Sequence, residues 1–426
     1  MNKRFILTAI MVVLIGIGVA VAVLAVKGYT FSPSEGRVVG TGIISVTSIP
    51  DGGSVFIDGH LTTATNTTIS QLKPKVYTVK ITKEGFIPWE KSIEVSEGLV
   101  SEVKATLFPA IPTIYPLTFN GVVSPVLSSD GENLAFGVPT NPESPTRQRG
   151  GIWVWTMSSQ PIAFNRGAQP HQIVTSDTTL DFSKANFRWS PDSTQILVTL
   201  QEDNKEGASF ERNYLLPINQ NTSLRDLRDI TPNVESVLKG WEEEKKSKDE
   251  ARILTIKDIN IRQIASSSAE IQLLNGVKHQ DLILSLNGVK RQDLILWSPD
   301  ETKILVGKKK EPGIKEMDTK RITASASGRY VELTEVKVYD LETGENYPIP
   351  PAKYYFWLPD SLHLILIHDE RIAITEFDGT NEAVIYAGKF DNGYVFPWPD
   401  SSRLAIVSSF NTPTASKPNL FGINLK

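Results

Sequence analysis

The sequence predicts an all-β protein: an N-terminal transmembrane helix, a small β-sandwich, then an irregular five- or six-bladed β-propeller with a helical insertion. Three observations carry this. The chain of 426 residues opens on a long uncharged run, continues as short strands cut by Gly and Pro turns, and after residue 120 returns five times to one phrase. The copies are Leu127-Ser128-Ser129-Asp130, Trp189-Ser190-Pro191-Asp192, Trp297-Ser298-Pro299-Asp300, Trp357-Leu358-Pro359-Asp360 and Pro397-Trp398-Pro399-Asp400. Recurrence at loose spacing marks a repeat architecture of small sheets.

Residues 1–27 form the first element. Lys3 and Arg4 precede 22 uncharged residues, Phe5 to Val26. Roughly 20 such residues span a bilayer core, and the apolar region of a cleaved signal is usually about 7–15. The run therefore reads as an uncleaved signal anchor, with Lys3 and Arg4 cytoplasmic and the bulk of the chain outside. Ala20-Val21-Ala22 resembles a cleavage site and leaves processing as the alternative. Residues 28–41 read as a tether.

Residues 42–108 alternate like half-buried strands. Ile44, Val46 and Ser48 lead to a turn at Pro50-Asp51-Gly52-Gly53, and Val55-Phe56-Ile57 to another at Asp58-Gly59. Val76, Tyr77, Val79 and Ile81 precede Lys83-Glu84-Gly85-Phe86, and Ile93–Val95 and Val100–Leu107 supply two more strands. Short strands with no helical period predict a sandwich. The spacing Pro50-x-Gly52-x-x-Val55-x-Ile57-Asp58-Gly59, Leu72-x-Pro74-x-x-Tyr77-x-Val79 and Lys83-x-Gly85-Phe86 resembles the PEGA domain. The chain departs from the family pattern at Gly53, where Ala is usual, and at Lys75, where Gly is usual. The resemblance implies a surface-associated, non-catalytic module, in some members linked to cell-wall or carbohydrate contact.

Residues 109–426 hold the repeats. In each phrase proline sets the φ a turn needs and Asp accepts from amides just downstream. An apolar triplet then opens a buried strand: Leu134–Phe136, Ile196–Val198, Ile304–Val306, Leu364–Leu366 and Leu404–Ile406. On this reading Asp130, Pro191, Asp192, Pro299, Asp300, Pro359, Asp360, Pro399 and Asp400 are structural corners; the functional alternative is that the Asp residues line a ligand or metal site. The units resemble those of TolB-like propellers, although Ser129 replaces Pro in the first and Pro397 replaces Trp in the last. Thr113–Thr118 is expected to return and complete the last blade, removing an open sheet edge.

Spacing between the corner Asp residues is 62, 108, 60 and 40, and a blade takes about 40–50. The long gap therefore holds an insertion, placed at about 233–266. There Glu242/Lys246 and Glu244/Lys248 are oriented i,i+4 pairs of a solvated helix. Residues 274–296 repeat LNGVKHQDLIL as LNGVKRQDLIL, differing only at His279 and Arg291. The second copy leads into Trp297 and supplies the strand; the first is expected as an added hairpin or loop. Removal of residues 274–285 is expected to leave the melting temperature largely unchanged.

Chemistry is sparse. Cysteine is absent, so disulfides, thiol nucleophiles and Cys-ligated zinc are excluded. A net charge of −4 is too mild for a nucleic-acid binder. His363 and His368 lie on opposite faces of a strand-like stretch, and His368-Asp369-Glu370 is the nearest approach to a metal set. Trp153 and Trp155 share a strand face and either stack a sugar or pack between blades. No cofactor or metal is expected. The sequence points to a non-enzymatic, single-pass membrane protein of the cell envelope that binds an envelope protein or cell-wall polysaccharide. The alternative is a propeller-mouth lyase or hydrolase acting on envelope glycans, against which no further catalytic domain is expected beyond the propeller.

Overall fold

The computed structural model describes residues 3–26, 29–32, 37–140, 150–157, 169–177, 180–203, 209–267, 269–270, 293–309, 333–410 and 417–426. Two compact units emerge, residues 1–111 with 426, and residues 112–425.

In the first unit, helix α1 (Lys3–Val26) corresponds to the uncharged run. The membrane span itself is not shown: among the described residues no helix is long and apolar enough to cross a membrane. The segment expected as a tether carries an antiparallel hairpin, Tyr29–Ser32 with Arg37–Gly40; Tyr29, Phe31, Val38 and Val39 give it strand propensity that its Gly, Ser and Pro content masks.

The sandwich that follows has a three-stranded sheet, Thr67–Leu72, Gly42–Ile49 and Val100–Thr106, and a four-stranded sheet, His60–Ala64, Ser54–Ile57, Lys75–Thr82 and Trp89–Val95. Gly42–Ile49 runs parallel to Val100–Thr106 and antiparallel to Thr67–Leu72. Ile44, Val46, Val55, Val79 and Ile81 are wholly buried in one core with Tyr77, Trp89, Val95, Val103 and Leu107. Each such aliphatic contributes about 1.5–3 kcal/mol. Strands His60–Ala64 and Thr67–Leu72 escape the sequence reading because they are Thr- and Ser-rich edge strands with little apolar alternation.

The second unit contains five sheets among the described residues. Sheet 1 is Val123–Leu127, Asn133–Val138, Gly151–Thr156 and His171–Thr175; sheet 2 is Asn186–Trp189, Gln195–Asp203 and Ser209–Pro217. Sheet 3 is Asp293–Trp297, Lys303–Lys309, Leu333–Asp340 and Asn346–Pro348, with Ala269–Glu270 added parallel to its first strand. Sheet 4 is Tyr354–Trp357, His363–Ile367, Arg371–Glu376 and Ala383–Ala387; sheet 5 is Val395–Pro397, Arg403–Ser408 and Asn419–Asn424. All other pairings within these sheets are antiparallel, and each sheet is an open meander.

Sheet 5 gains its fourth strand from the start of the unit: Ile114, Tyr115 and Pro116 pair with Ile423, Gly422 and Phe421. Apolar clusters join sheet 1 to sheet 2, sheet 1 to sheet 5 and sheet 3 to sheet 4. Between sheets 2 and 3 the chain forms helices α2 (Val234–Thr255) and α3 (Ile259–Ser267). Lys248 pairs with Glu244 at 2.8 Å, whereas Lys246 reaches Glu250 at 3.8 Å rather than Glu242. Of the duplicated segment, residues 274–292 lie outside the described residues; the end of the second copy, from Asp293, is the first strand of sheet 3.

Candidate functional site

The repeated corners are the feature the sequence singles out, and all five fold alike. The first residue of each corner (Ser128, Ser190, Ser298, Leu358, Trp398) donates its N–H to the carbonyl five residues on, at 2.8–3.0 Å. Its own carbonyl accepts the N–H three residues on, from Gly131, Ser193, Glu301, Ser361 and Ser401, at 2.8–3.0 Å. These last five all have positive φ, between 55° and 75°. The aspartate stabilises that bend. Asp130, Asp192, Asp300, Asp360 and Asp400 each accept, through Oδ1, the N–H two residues on: Glu132, Thr194, Thr302, Leu362 and Ser402, at 2.9–3.1 Å.

Three corners add a hydroxyl. Ser190 and Ser298 donate to Asp192 and Asp300 at 2.5 and 2.6 Å, as Ser128 does to Asp130, while each Ser Oγ accepts the N–H of Asn133, Gln195 or Lys303 at 2.9–3.0 Å. The Ser190 hydroxyl, with the Thr194 amide and hydroxyl, holds the Asp192 carboxyl below its ordinary pKa against the opposing effect of burial. At Asp300 burial is the largest influence and pushes upward, but Ser298, Thr302 and Lys303 together bring the carboxyl below its usual value. In sheet 4 the Ser position is Leu358, and Asp360 instead binds the buried His363 ring at Nδ1, 2.8 Å away. These carboxylates hold their own turns. Pro191, Pro299, Pro359 and Pro399 stand immediately before them, and Pro has no N–H to leave unpaired there.

The corners also bind sheet to sheet: the serines one place after Asp were missed by the sequence reading, whereas the aromatics before the turn were expected to pack between neighbouring sheets. Ser193 and Ser361 accept, on Oγ, the N–H of Asp130 and Asp300 in the preceding sheet, at 3.2 and 3.0 Å. Trp189 and Trp357 donate Nε1 to the carbonyls of Val126 and Leu296 in the preceding sheet, at 3.1 and 3.0 Å. The available signal was a serine one place after Asp, together with Trp three places before it.

Trp153 and Trp155 lie on strand Gly151–Thr156 in the seam between sheets 1 and 5. Trp155 is only 8% exposed and meets Trp398 edge-to-face, centroids 5.7 Å apart. Both indole N–H groups are sealed from solvent without an acceptor among the described residues. Their rings contribute to the packing of the seam. Within sheet 5, Arg403 lies 4.8 Å from the Trp398 ring and donates to the Tyr115 hydroxyl at 3.1 Å, fastening the closing strand.

Among the described residues no group of three or more His, Asp or Glu is placed to hold a metal. His368 accepts from Arg371 at 2.9 Å, and Asp369 binds Lys353 at 2.6 Å and Asn392 at 3.2 Å. Burial, then the Arg371 charge, lowers the His368 pKa. His171 is within 2.7 Å of the Ile218 carbonyl, and His279 lies outside the described residues.

Comparison with known proteins identifies the sandwich: residues 41–110 match the PEGA domain family. The solved structures similar to the chain include a TolB-type protein of Agrobacterium tumefaciens, at 12% identity over 70% of this chain and 76% of that one, TM-score 0.22. TolB of Acinetobacter baumannii is similar at 12% identity over 82% of this chain and 59% of that one, TM-score 0.20. The tricorn protease is similar at 10% identity over 80% of this chain and 26% of that one, TM-score 0.20. At those scores it is the order and packing of the sheets, rather than the likeness, that carry the fold. No curated protein matches the chain.

Proposed function

We propose that this is a non-enzymatic binding protein of the cell envelope, held at the membrane by its N-terminal run and presenting a ring of β-sheets, preceded by the PEGA module, to a protein or cell-wall polysaccharide. The observation that carries the platform reading is the contrast between the five corners and the connections that follow the second strands. Every corner between first and second strands is five residues long, with the same hydrogen bonds. Connections from second to third strands leave from the opposite end and run from three residues (368–370) to twenty-three (310–332). The five corners share one length and one set of hydrogen bonds, as a scaffold requires, whereas the number of residues between second and third strands varies freely, as it does for recognition loops. The anchor reading is supported by the uncharged stretch Phe5–Val26 behind Lys3 and Arg4.

The test uses the full chain expressed in a bacterial host. Alkaline carbonate extraction should leave it in the membrane pellet, and removal of residues 1–27 should release it; extraction of the intact chain into the supernatant would overturn the anchor. Purified protein should enrich either cell-wall material or an envelope protein saturably. Turnover of an envelope glycan by the purified chain would favour the enzymatic alternative.

A further inference from the structure

Sheet 3 departs from its neighbours at the two positions that bind one sheet to the one before. Where Ser193 and Ser361 accept an N–H from the preceding sheet, sheet 3 has Glu301, which pairs with Arg252 of α2 at 2.8 Å. Where Trp189 and Trp357 reach the preceding sheet's backbone, Trp297 packs with Ile295 and Ile304 against Ile256, Ile261 and Ala265 of the helical segment. The helices occupy the place that a preceding sheet would take.

Their attachment is lopsided. Towards sheet 2 the segment is pinned at its start: Ile230 donates to the Asn213 carbonyl at 2.8 Å, Asn213 to Thr231 Oγ1 at 2.9 Å, and Thr231 N–H to Asp229 at 2.9 Å. A single 3₁₀ turn, Thr231–Asn233, follows and leads into α2, a geometry common at helix N-termini and in connectors. Helix α2 has no fully buried residue along its 22 positions. The buried contacts come after it, at Ile256, Ile261 and Ala265. Between these two attachments, Glu244–Lys248 and Lys245–Asp249 ion pairs at 2.8 and 3.3 Å support α2 along its own surface.

We propose that α2–α3 is a strap, tied to sheet 2 at residues 230–233 and to the first strand of sheet 3 through Ala269–Glu270, whose two helices leave their seat on sheet 3 while the sheets stay folded, uncovering the apolar face of Ile295, Trp297 and Ile304. Native-state hydrogen exchange of the full chain tests it. Amides of α2 and α3 should exchange through an opening not shared with strands Asn133–Val138 and His363–Ile367. Ile261→Ala should speed that exchange by roughly thirtyfold or more while leaving those two strands unchanged. Arg252→Glu should speed it several-fold, and adding Glu301→Arg should restore the original rate. Strap amides that exchange only together with the two strands, or a charge swap that restores nothing, would overturn the proposal.

Discussion

Asp192 shows what a single corner residue contributes. Its carboxylate receives the Ser190 hydroxyl and the Thr194 amide, so the fold favours the ionised form. The folded pKa lies below the unfolded one, so the stabilisation is complete above the ordinary Asp value of about 3.9 and is lost as pH falls through the folded value. Asp192→Asn should therefore lower stability by about 1–2 kcal/mol near neutrality, with the deficit shrinking below about pH 4 in denaturant melts. Gly53 offers a second test. A Cβ there would sit 2.8 Å from Ile81 Cγ2, in a fully buried part of the sandwich core. Gly53→Ala, a change towards the residue usual in PEGA domains, should destabilise this chain by about 1–3 kcal/mol by overpacking. Lys75 is accommodated differently: it forms a 2.7 Å ion pair with Asp58 of the Asp58-Gly59 turn and lies 4.3 Å from the Tyr77 ring.

At the level of elements, the two tryptophan environments make opposite predictions. Trp357 Nε1 is bonded across a seam, and Trp155 Nε1 is not. Trp357→Phe should cost about 1 kcal/mol more than Trp155→Phe in thermal melts, because only the first removes a hydrogen bond. Much of this level was legible in the sequence. Pro-Asp dipeptides ahead of apolar triplets marked the corners, and the Gly- and Pro-bounded apolar runs marked most strands. What escaped has physical reasons. Edge strands such as Thr67–Leu72 show no clean alternation. The Ser193 and Ser361 bonds depend on which sheet lies beside which, a fact of tertiary order that no local pattern encodes. The charged run 242–250 announced a helix, but Glu301, which its last turn engages through Arg252, lies about 50 positions away in the chain.

For the whole second unit, the decisive element is the short strand Ile114–Pro116. It is the outer strand of sheet 5, locked by Arg403 on Tyr115, and Leu420 N–H donates to Thr118 Oγ1 at 3.0 Å. Deleting residues 112–118 should leave Asn419–Asn424 as an open edge. The expected result is a lower melting temperature and concentration-dependent self-association in light scattering; an unchanged monomer of unchanged stability would show that closure contributes nothing.

The hydrogen bond from Leu420 to Thr118 joins residues 302 positions apart, which bears on how the chain is made. During synthesis from the N-terminus, the flank of sheet 1 that carries Trp153 and Trp155 emerges long before Trp398 and Leu420 exist to cover it. At roughly 5–20 residues per second, that flank waits tens of seconds with its apolar side chains in solvent. The nascent second unit is thus vulnerable to aggregation for most of its translation, and a chaperone that holds sheet 1 should raise the yield of folded protein more than one that acts only after release.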